Sequence, residues 1–336
     1  MIPELGVMFR RDQHPATLAD FARRVEAMGF DQLWVVEDCF FLGGIAQTAL
    51  ALAATTRVKV GIGINPAVAR NPAFLAMEYA TLASTFPGRL IGGIGHGFGP
   101  WMEQVGAKPA SWLRSIEEIA IAVQRILRGD DVTMHGDYVN LHDVRLFSPP
   151  EIVPPILLGV QAERSVRLAG RCADGLLLAE GAGPDYVRWA RDLMAQGRAD
   201  TGRDGQGQVV VYAHCLVDDA DPDAARESMR RKIARGVGPD LQPQLARASF
   251  APELAALATG GKEAVRAGMP DAWLNDLAIT GSSEDGLNAI GRLGDAGTDA
   301  VVLVPPEGVD PEAWLATPAV QRLVDGRDRQ RSTGPA

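Results

Sequence analysis

Cysteine is scarce in this chain: Cys39, Cys172 and Cys215 are odd in number and far apart. They form no CxxC pair of the kind that holds zinc and no even set that would read as a disulfide framework, so a reducing cytoplasm is the expected compartment. Long apolar runs are also missing. The start, MIPELGVMFRRDQHP, has no apolar stretch behind a basic segment, and no later segment reaches ~18 uninterrupted apolar residues. Neither an export signal nor a membrane span is expected. Positive charge comes only in short groups such as Arg10-Arg11 and Arg230-Arg231-Lys232, against a net charge of −9, which disfavours nucleic acid and anionic lipid as partners. His14, His135, His142 and His214 have no carboxylate or cysteine at metal-ligand spacing; each reads as a surface or packing residue, and no metal site is expected. There is no GxSxG elbow, no Walker lysine and no GxGxxG opening a helix after a strand.

Apolar residues make up 46% of the 336 positions but aromatics only 6%, so the core must be built from Ala, Val, Leu and Ile, as in parallel sheets covered by helices. Short β-rich runs recur at Leu5 to Phe9, Gln32 to Val36, Val58 to Ile64, Leu90 to Ile94, Ile156 to Gly159, Gly175 to Leu178, Val209 to Val217 and Ala300 to Val304. One-faced helices lie between them, for example Leu18, Phe21, Ala22, Val25 and Met28 at three- and four-residue steps. Strict alternation requires crossover connections, and eight repeats point to a closed (β/α)8 barrel. Gly29, Gly129 and Gly297 stand where helices should stop.

Three stretches exceed the plain repeat. Phe98 to Trp112 is a candidate lid after the fourth strand, and Val132 to Phe147 reads as a polar hairpin. Pro239 to Asp276, after the seventh strand, is a place for substrate contacts or a dimer surface. The expected organisation is one domain over residues 1–325 with a flexible tail at 326–336, assembled as a homodimer.

Barrel enzymes place chemistry at the C-terminal ends of their strands. Glu37-Asp38-Cys39 ends strand two, where Asp38 can orient a ring or accept a proton, or else cap a helix; Cys39 reads as pocket lining. Gly61-Ile62-Gly63-Ile64-Asn65-Pro66 ends strand three, and glycines inside a strand mark a bulge or a close approach to a ligand. Gly95-His96-Gly97 ends strand four. His96 is the leading catalytic candidate, because imidazole titrates near neutrality and can donate to a carbonyl or take up a proton. After strand five, Gly159-Val160-Gln161 leads into a helix start at Ala162-Glu163-Arg164-Ser165. Its amides and Arg164 suit a phosphate, and an ordinary helix start with surface charges is the alternative.

The segments WVVEDCFF, VGIGINPAVARNPAFLAMEYATLASTFPGRLIGGIGHG and LAGRCADGLLL together resemble the bacterial-luciferase-like flavin and deazaflavin oxidoreductases, over about residues 1–305. Arg70-Asn71-Pro72 and FPGRLIGGIGHG are the most specific parts. The resemblance implies a ring seated on a strand-three bulge with a non-prolyl cis peptide at Gly63-Ile64, an acidic residue at Asp38, and contacts from Cys39, Gly61, Asn65, Gly95, His96, Gly97 and the segment from Gly159 to Arg164. It departs from the family where Cys39 replaces a frequent histidine and where Ala162-Glu163-Arg164 replaces a Gly-Pro-Lys phosphate loop. Phe98 stands where sugar-phosphate dehydrogenases carry a glutamate. The pattern is nearest the methylenetetrahydromethanopterin-reductase-like branch. It implies an oxidoreductase that uses coenzyme F420 to exchange a hydride with a small organic substrate. The alternatives are an FMN-dependent monooxygenase and a non-catalytic cofactor-binding protein.

Overall fold

A computed structural model describes residues 2–333. Eight parallel strands form its centre: β1 (Glu4–Phe9), β2 (Gln32–Val35), β3 (Lys59–Ile62), β4 (Leu90–Gly95), β5 (Ile156–Gly159), β6 (Gly175–Leu178), β7 (Gln208–Val217) and β8 (Ala300–Val304). Each pairs with the next, and β8 pairs with β1, so the sheet closes into the expected barrel. Closure leaves no free sheet edge. Strand residues alternate between two apolar surfaces. Leu5, Val7, Leu33, Val35 and Val60 pack outward among the helices, while Met8, Trp34, Leu157, Leu177, Val210, Tyr212 and Val302 fill the interior. Trp34 and Tyr212 meet edge-to-face there, with ring centroids 5.6 Å apart.

Polar residues close the N-terminal mouth. Glu4 accepts from Lys59 Nζ at 2.7 Å and from Gln32 Nε2 at 2.6 Å, and Gln32 Oε1 accepts from Trp34 Nε1 at 2.7 Å. These contacts hold β1, β2 and β3 in register at the end of the barrel remote from the expected chemistry. Gly29 and Gly297 take φ of 92° and 103°, which side chains disfavour, and so end their helices as the sequence predicts.

The hairpin is present as Val132–His135 and Asn140–Val144. The buried Glu118 carboxylate accepts from the backbone N–H groups of Asp137, Tyr138 and Val139 in its turn. The segment that begins at residue 239 folds into the short helices Ala251–Ala258, Lys262–Gly268 and Asp271–Leu277, the last ending one residue beyond the expected 276, and these gather a second apolar cluster around Leu254, Val265 and Leu274. A short strand, Ile279–Gly281, then extends β7.

The C-terminal segment departs from the sequence expectation. A helix runs from Pro318 to Thr333, so the segment read as a flexible tail at 326–336 is helical through residue 333; its last three residues lie outside the described residues. The cause is an ion pair that composition hides. Arg327 is buried, pairs with Asp31 and donates to Gly29 O at 2.9 Å, while Arg331 donates to Pro3 O at 2.9 Å. These contacts dock the helix against the start of β1 and the turn before β2.

Candidate active site

The chain between β3 and the next helix contains one residue more than the strand beside it. Gly61 pairs with Ile91 and Asn65 with Ile94, so four steps along one strand oppose three along the other. This is a β-bulge, and the Gly63–Ile64 peptide within it is cis, as the family resemblance implied. A second non-prolyl cis peptide, Cys39–Phe40, was not anticipated.

Small residues make room for the bulge. A Cβ on Gly63 would overlap the Tyr212 hydroxyl and lie 2.8 Å from its Cζ and 2.9 Å from Leu177 Cδ2. The Ile64 side chain in turn rests on β4 and β5, where a Cβ at Gly95 or Gly159 would come within 2.8 or 2.6 Å of it. Gly61 has a different reason to be glycine: the Trp34 indole occupies the space beside it. It packs the barrel and does not line the cavity above.

That cavity, about 1220 Å³, opens at the C-terminal ends of the strands. The expected residues Asp38, Gly63, Ile64, His96, Gly97, Gly159, Val160, Gln161 and Ala162 all line it. The other expected residues do not. Cys39 is half-buried outside the wall, and burial together with Glu37 and Asp38 raises its thiol pKa, which opposes a nucleophilic thiolate. Asn65 is fully buried and accepts from Tyr79 OH at 2.8 Å, making it a brace under the bulge. Gly95 is packed against Ile64. Glu163 and Arg164 are exposed and lie off the wall, with Glu163 3.3 Å from Arg247; Ser165 lines the wall in their place.

The neighbouring charges divide into bracing and lining groups. Glu37 grips Arg70 through two contacts, one of 2.8 Å, and accepts from Gly44 N at 2.7 Å. Asn71 caps the helix Pro72–Thr85 by accepting from Ala73 N at 2.9 Å. The specific Arg-Asn-Pro motif is therefore structural, locking the exits of β2 and β3 together. Asp38, by contrast, lines the cavity and pairs with Arg11 at 2.8 Å.

Two cavity-lining residues carry a buried polar atom without a protein partner: His96, at Nδ1, and Tyr212, at OH. An unmatched buried polar atom costs about 1–3 kcal/mol, so such atoms mark where a ligand supplies partners. Burial lowers the His96 pKa, leaving a neutral imidazole whose ring meets Trp112 edge-on at 5.9 Å. Burial, reinforced by Glu180 and Asp38, raises the Tyr212 pKa well above the ordinary phenol value, so it stays protonated. Tyr212 was missed in the sequence because a lone tyrosine in an apolar strand reads as core. His214, expected as a surface or packing residue, also lines the cavity, and its pKa is lowered by burial against an opposing pull from Glu180. Among the described residues no His, Cys, Asp and Glu group could hold a metal ion, and no helix is long and apolar enough to cross a membrane.

The candidate lid is only partly one. Phe98 and Trp101 pack edge-to-face at 5.0 Å on the cavity wall, and Gly99–Gln104 is a short helix. Trp112 instead begins the long helix Trp112–Leu127.

The model of the luciferase-like monooxygenase family matches residues 3–300. The chain belongs to that family. Among its relatives, 5,10-methylenetetrahydromethanopterin reductase of Methanolobus tindarius is 27% identical over 91% of this chain and 95% of its own. The F420-dependent glucose-6-phosphate dehydrogenase of Kineococcus radiotolerans is 31% identical over 64% of this chain and 68% of its own. The structure of coenzyme F420 dependent tetrahydromethanopterin reductase from Methanopyrus kandleri superposes with a TM-score of 0.76 at 21% identity, over 97% of this chain and 98% of that one. The superposition shows the same barrel fold over nearly all of both chains.

Burial of two neutral histidines makes acid stability a test of the site. Their folded pKa values lie below the ordinary 6.5, so between those values and 6.5 the unfolded chain binds protons that the folded chain refuses. Their contribution is complete above about pH 6.5 and is lost as pH falls below it. The melting temperature should therefore drop on acidification from pH 7 to 5, and His96→Gln should flatten that drop. Calorimetric melts over this range check it.

Proposed function

We propose that this chain is a coenzyme F420-dependent oxidoreductase that transfers a hydride between the deazaflavin and a small organic substrate. The observation that carries the reading is the Gly63–Ile64 bulge beneath the cavity, with His96 Nδ1 and Tyr212 OH left unpartnered at its wall. The residues present fit a flat ring: Ile64, Val160 and Leu177 give apolar surface, and the two orphaned atoms await polar partners. Two of the three relatives described above are named for F420, which supports the same choice.

When bound, the deazaflavin supplies hydride chemistry that no side chain has. The protein supplies position and environment. The bulge and Ile64 set the seat of the ring. His96 faces the substrate as a neutral imidazole and holds or takes up a proton at Nδ1, while Tyr212 donates from its hydroxyl. Phe98 and Trp101 shield the mouth from water, and Asp38, held by Arg11, brings a carboxylate to the wall. The N-terminal end of the helix Glu163–Cys172, with Ala162 and Ser165 on the wall, is the place for the coenzyme's phosphate.

Exposed Leu50, Phe74 and Met77, on the helices that follow β2 and β3, support a homodimer. The free thiols of Cys39, Cys172 and Cys215 suit a reducing cytoplasm. Titration of the purified protein with oxidised coenzyme F420 and, separately, with FMN tests the cofactor by fluorescence. Saturable micromolar binding of F420 with weak FMN binding is expected; tight FMN binding without F420 binding overturns the reading.

A further inference from the structure

Beside the main cavity lies a side chamber of about 410 Å³ that shares Glu180, His214, Lys232, Arg235 and Glu307 with it. Glu180 follows β6, His214 is on β7, Lys232 and Arg235 are on the helix Pro222–Gly236, and Glu307 follows β8. The chamber is therefore framed by consecutive barrel repeats and continues the space where the substrate would meet the coenzyme.

Its charges balance. Two carboxylates, Glu180 and Glu307, face two cations, Lys232 and Arg235, and Lys232 already pairs with Glu307 at 2.7 Å. Burial lowers the pKa of His214, so it adds no charge at neutral pH. The wall calls for neither an anion nor a cation.

Lys232 and Arg235 bring donors to its wall, yet two of its acceptors stay unmatched. Gln244 is only 4% exposed, and its Nε2 donates to Glu180 O at 3.3 Å and to Gln242 Oε1 at 2.7 Å. Those two bonds fix the amide orientation and leave Gln244 Oε1 as a buried acceptor with no partner. The half-buried Glu180 carboxylate has no ion pair or hydrogen-bond donor among the described residues. A buried amide oxygen and a carboxylate, both unmatched in a charge-balanced pocket, ask for neutral O–H groups.

We propose that this chamber is a substrate subsite for a neutral, hydroxyl-bearing arm, with Gln244 Oε1 and Glu180 accepting from its hydroxyls. It rests on the reading of the main cavity as the hydride-transfer site, and it narrows the substrate to a polyol-like alcohol or the matching carbonyl compound. A purely hydrocarbon arm would leave both acceptors dry, and so would be rejected.

The test is a titration by ligand-observed NMR of the chain, with and without coenzyme F420, using three five-carbon probes: xylitol, 1-pentanol and 1-aminopentane. Xylitol should bind saturably and more tightly than the other two. Gln244→Leu should weaken it at least tenfold. Because Gln244 also holds Glu180 O, Glu180→Ala is the second variant and should weaken xylitol similarly, with both variants checked by thermal melts. Absence of saturable xylitol binding, equal or tighter binding of pentanol or aminopentane, or unchanged xylitol affinity in both folded variants overturns the proposal. Xylitol binding as expected together with no F420 binding would sustain the chamber and sink the coenzyme reading instead.

Discussion

Gly63→Ala is expected to weaken coenzyme F420 binding about a hundredfold, roughly 2.8 kcal/mol, with the barrel still folded. The added methyl would overlap the Tyr212 hydroxyl and lie 2.9 Å from Leu177 Cδ2, on the surface where the ring is proposed to rest. Either Tyr212 leaves its position or the bulge moves, and both alter the seat. Overpacking of this kind typically costs about 1–3 kcal/mol in stability, less than a domain's usual reserve of about 5–15 kcal/mol. Gly291→Ala is the control, because a Cβ there meets nothing within 4 Å. Fluorescence titration alongside circular-dichroism melts separates lost affinity from lost fold. Unchanged affinity for the coenzyme in Gly63→Ala would place the ring elsewhere.

His96→Ala should lower turnover by about 10²–10³, within the range for a positioned acid or base, while changing coenzyme affinity less than threefold. The expectation follows from its environment. The imidazole is held between the cavity and the Trp112 ring, its Nδ1 has no protein partner, and burial keeps it neutral. Nothing in the fold depends on that nitrogen, so its partner is to be sought in the ligand. Single-turnover rates with a substrate found by screening against both redox forms of the coenzyme provide the measurement. A variant that turns over at the parental rate would remove His96 from the chemistry.

Much of the fold was legible because the barrel signal is local and repeated. Each strand is a short β-rich run, and Gly29 and Gly297 end helices through backbone geometry that only their own positions determine. The bulge was legible for a similar reason: Gly61, Gly63, Gly95 and Gly159 are spaces that neighbours must fill, and a glycine-rich strand end announces close packing without saying of what. Only the structure separates Gly61, packed by Trp34 and off the cavity, from Gly63, packed by Tyr212 at the cavity wall.

What stayed hidden depends on partners distant in sequence. The pairing of Arg11 with Asp38, the grip of Arg70 on Glu37 and the docking of Arg327 on Asp31 each join segments whose approach no local pattern encodes. For that reason the part that Arg70-Asn71-Pro72 plays as a brace appears only in the fold, and an Arg-rich terminus that looked like a tail is a docked helix. Glu163 and Arg164 illustrate the converse. Their position after β5 suits a phosphate, yet the helix turns both side chains away from the wall and presents Ser165. Tyr212 and Gln244 are singled out by their unmatched atoms, a property that exists only once the chain is folded.

A crystal structure of the chain with coenzyme F420 bound tests the central claim most directly. The account predicts the deazaflavin ring lying on the Gly63–Ile64 peptide, its reactive C5 turned toward the space between His96 and Tyr212, with its phosphate near Ala162 and Ser165. A ring bound away from the bulge, or seated there with C5 facing the barrel wall rather than the open cavity, would contradict it.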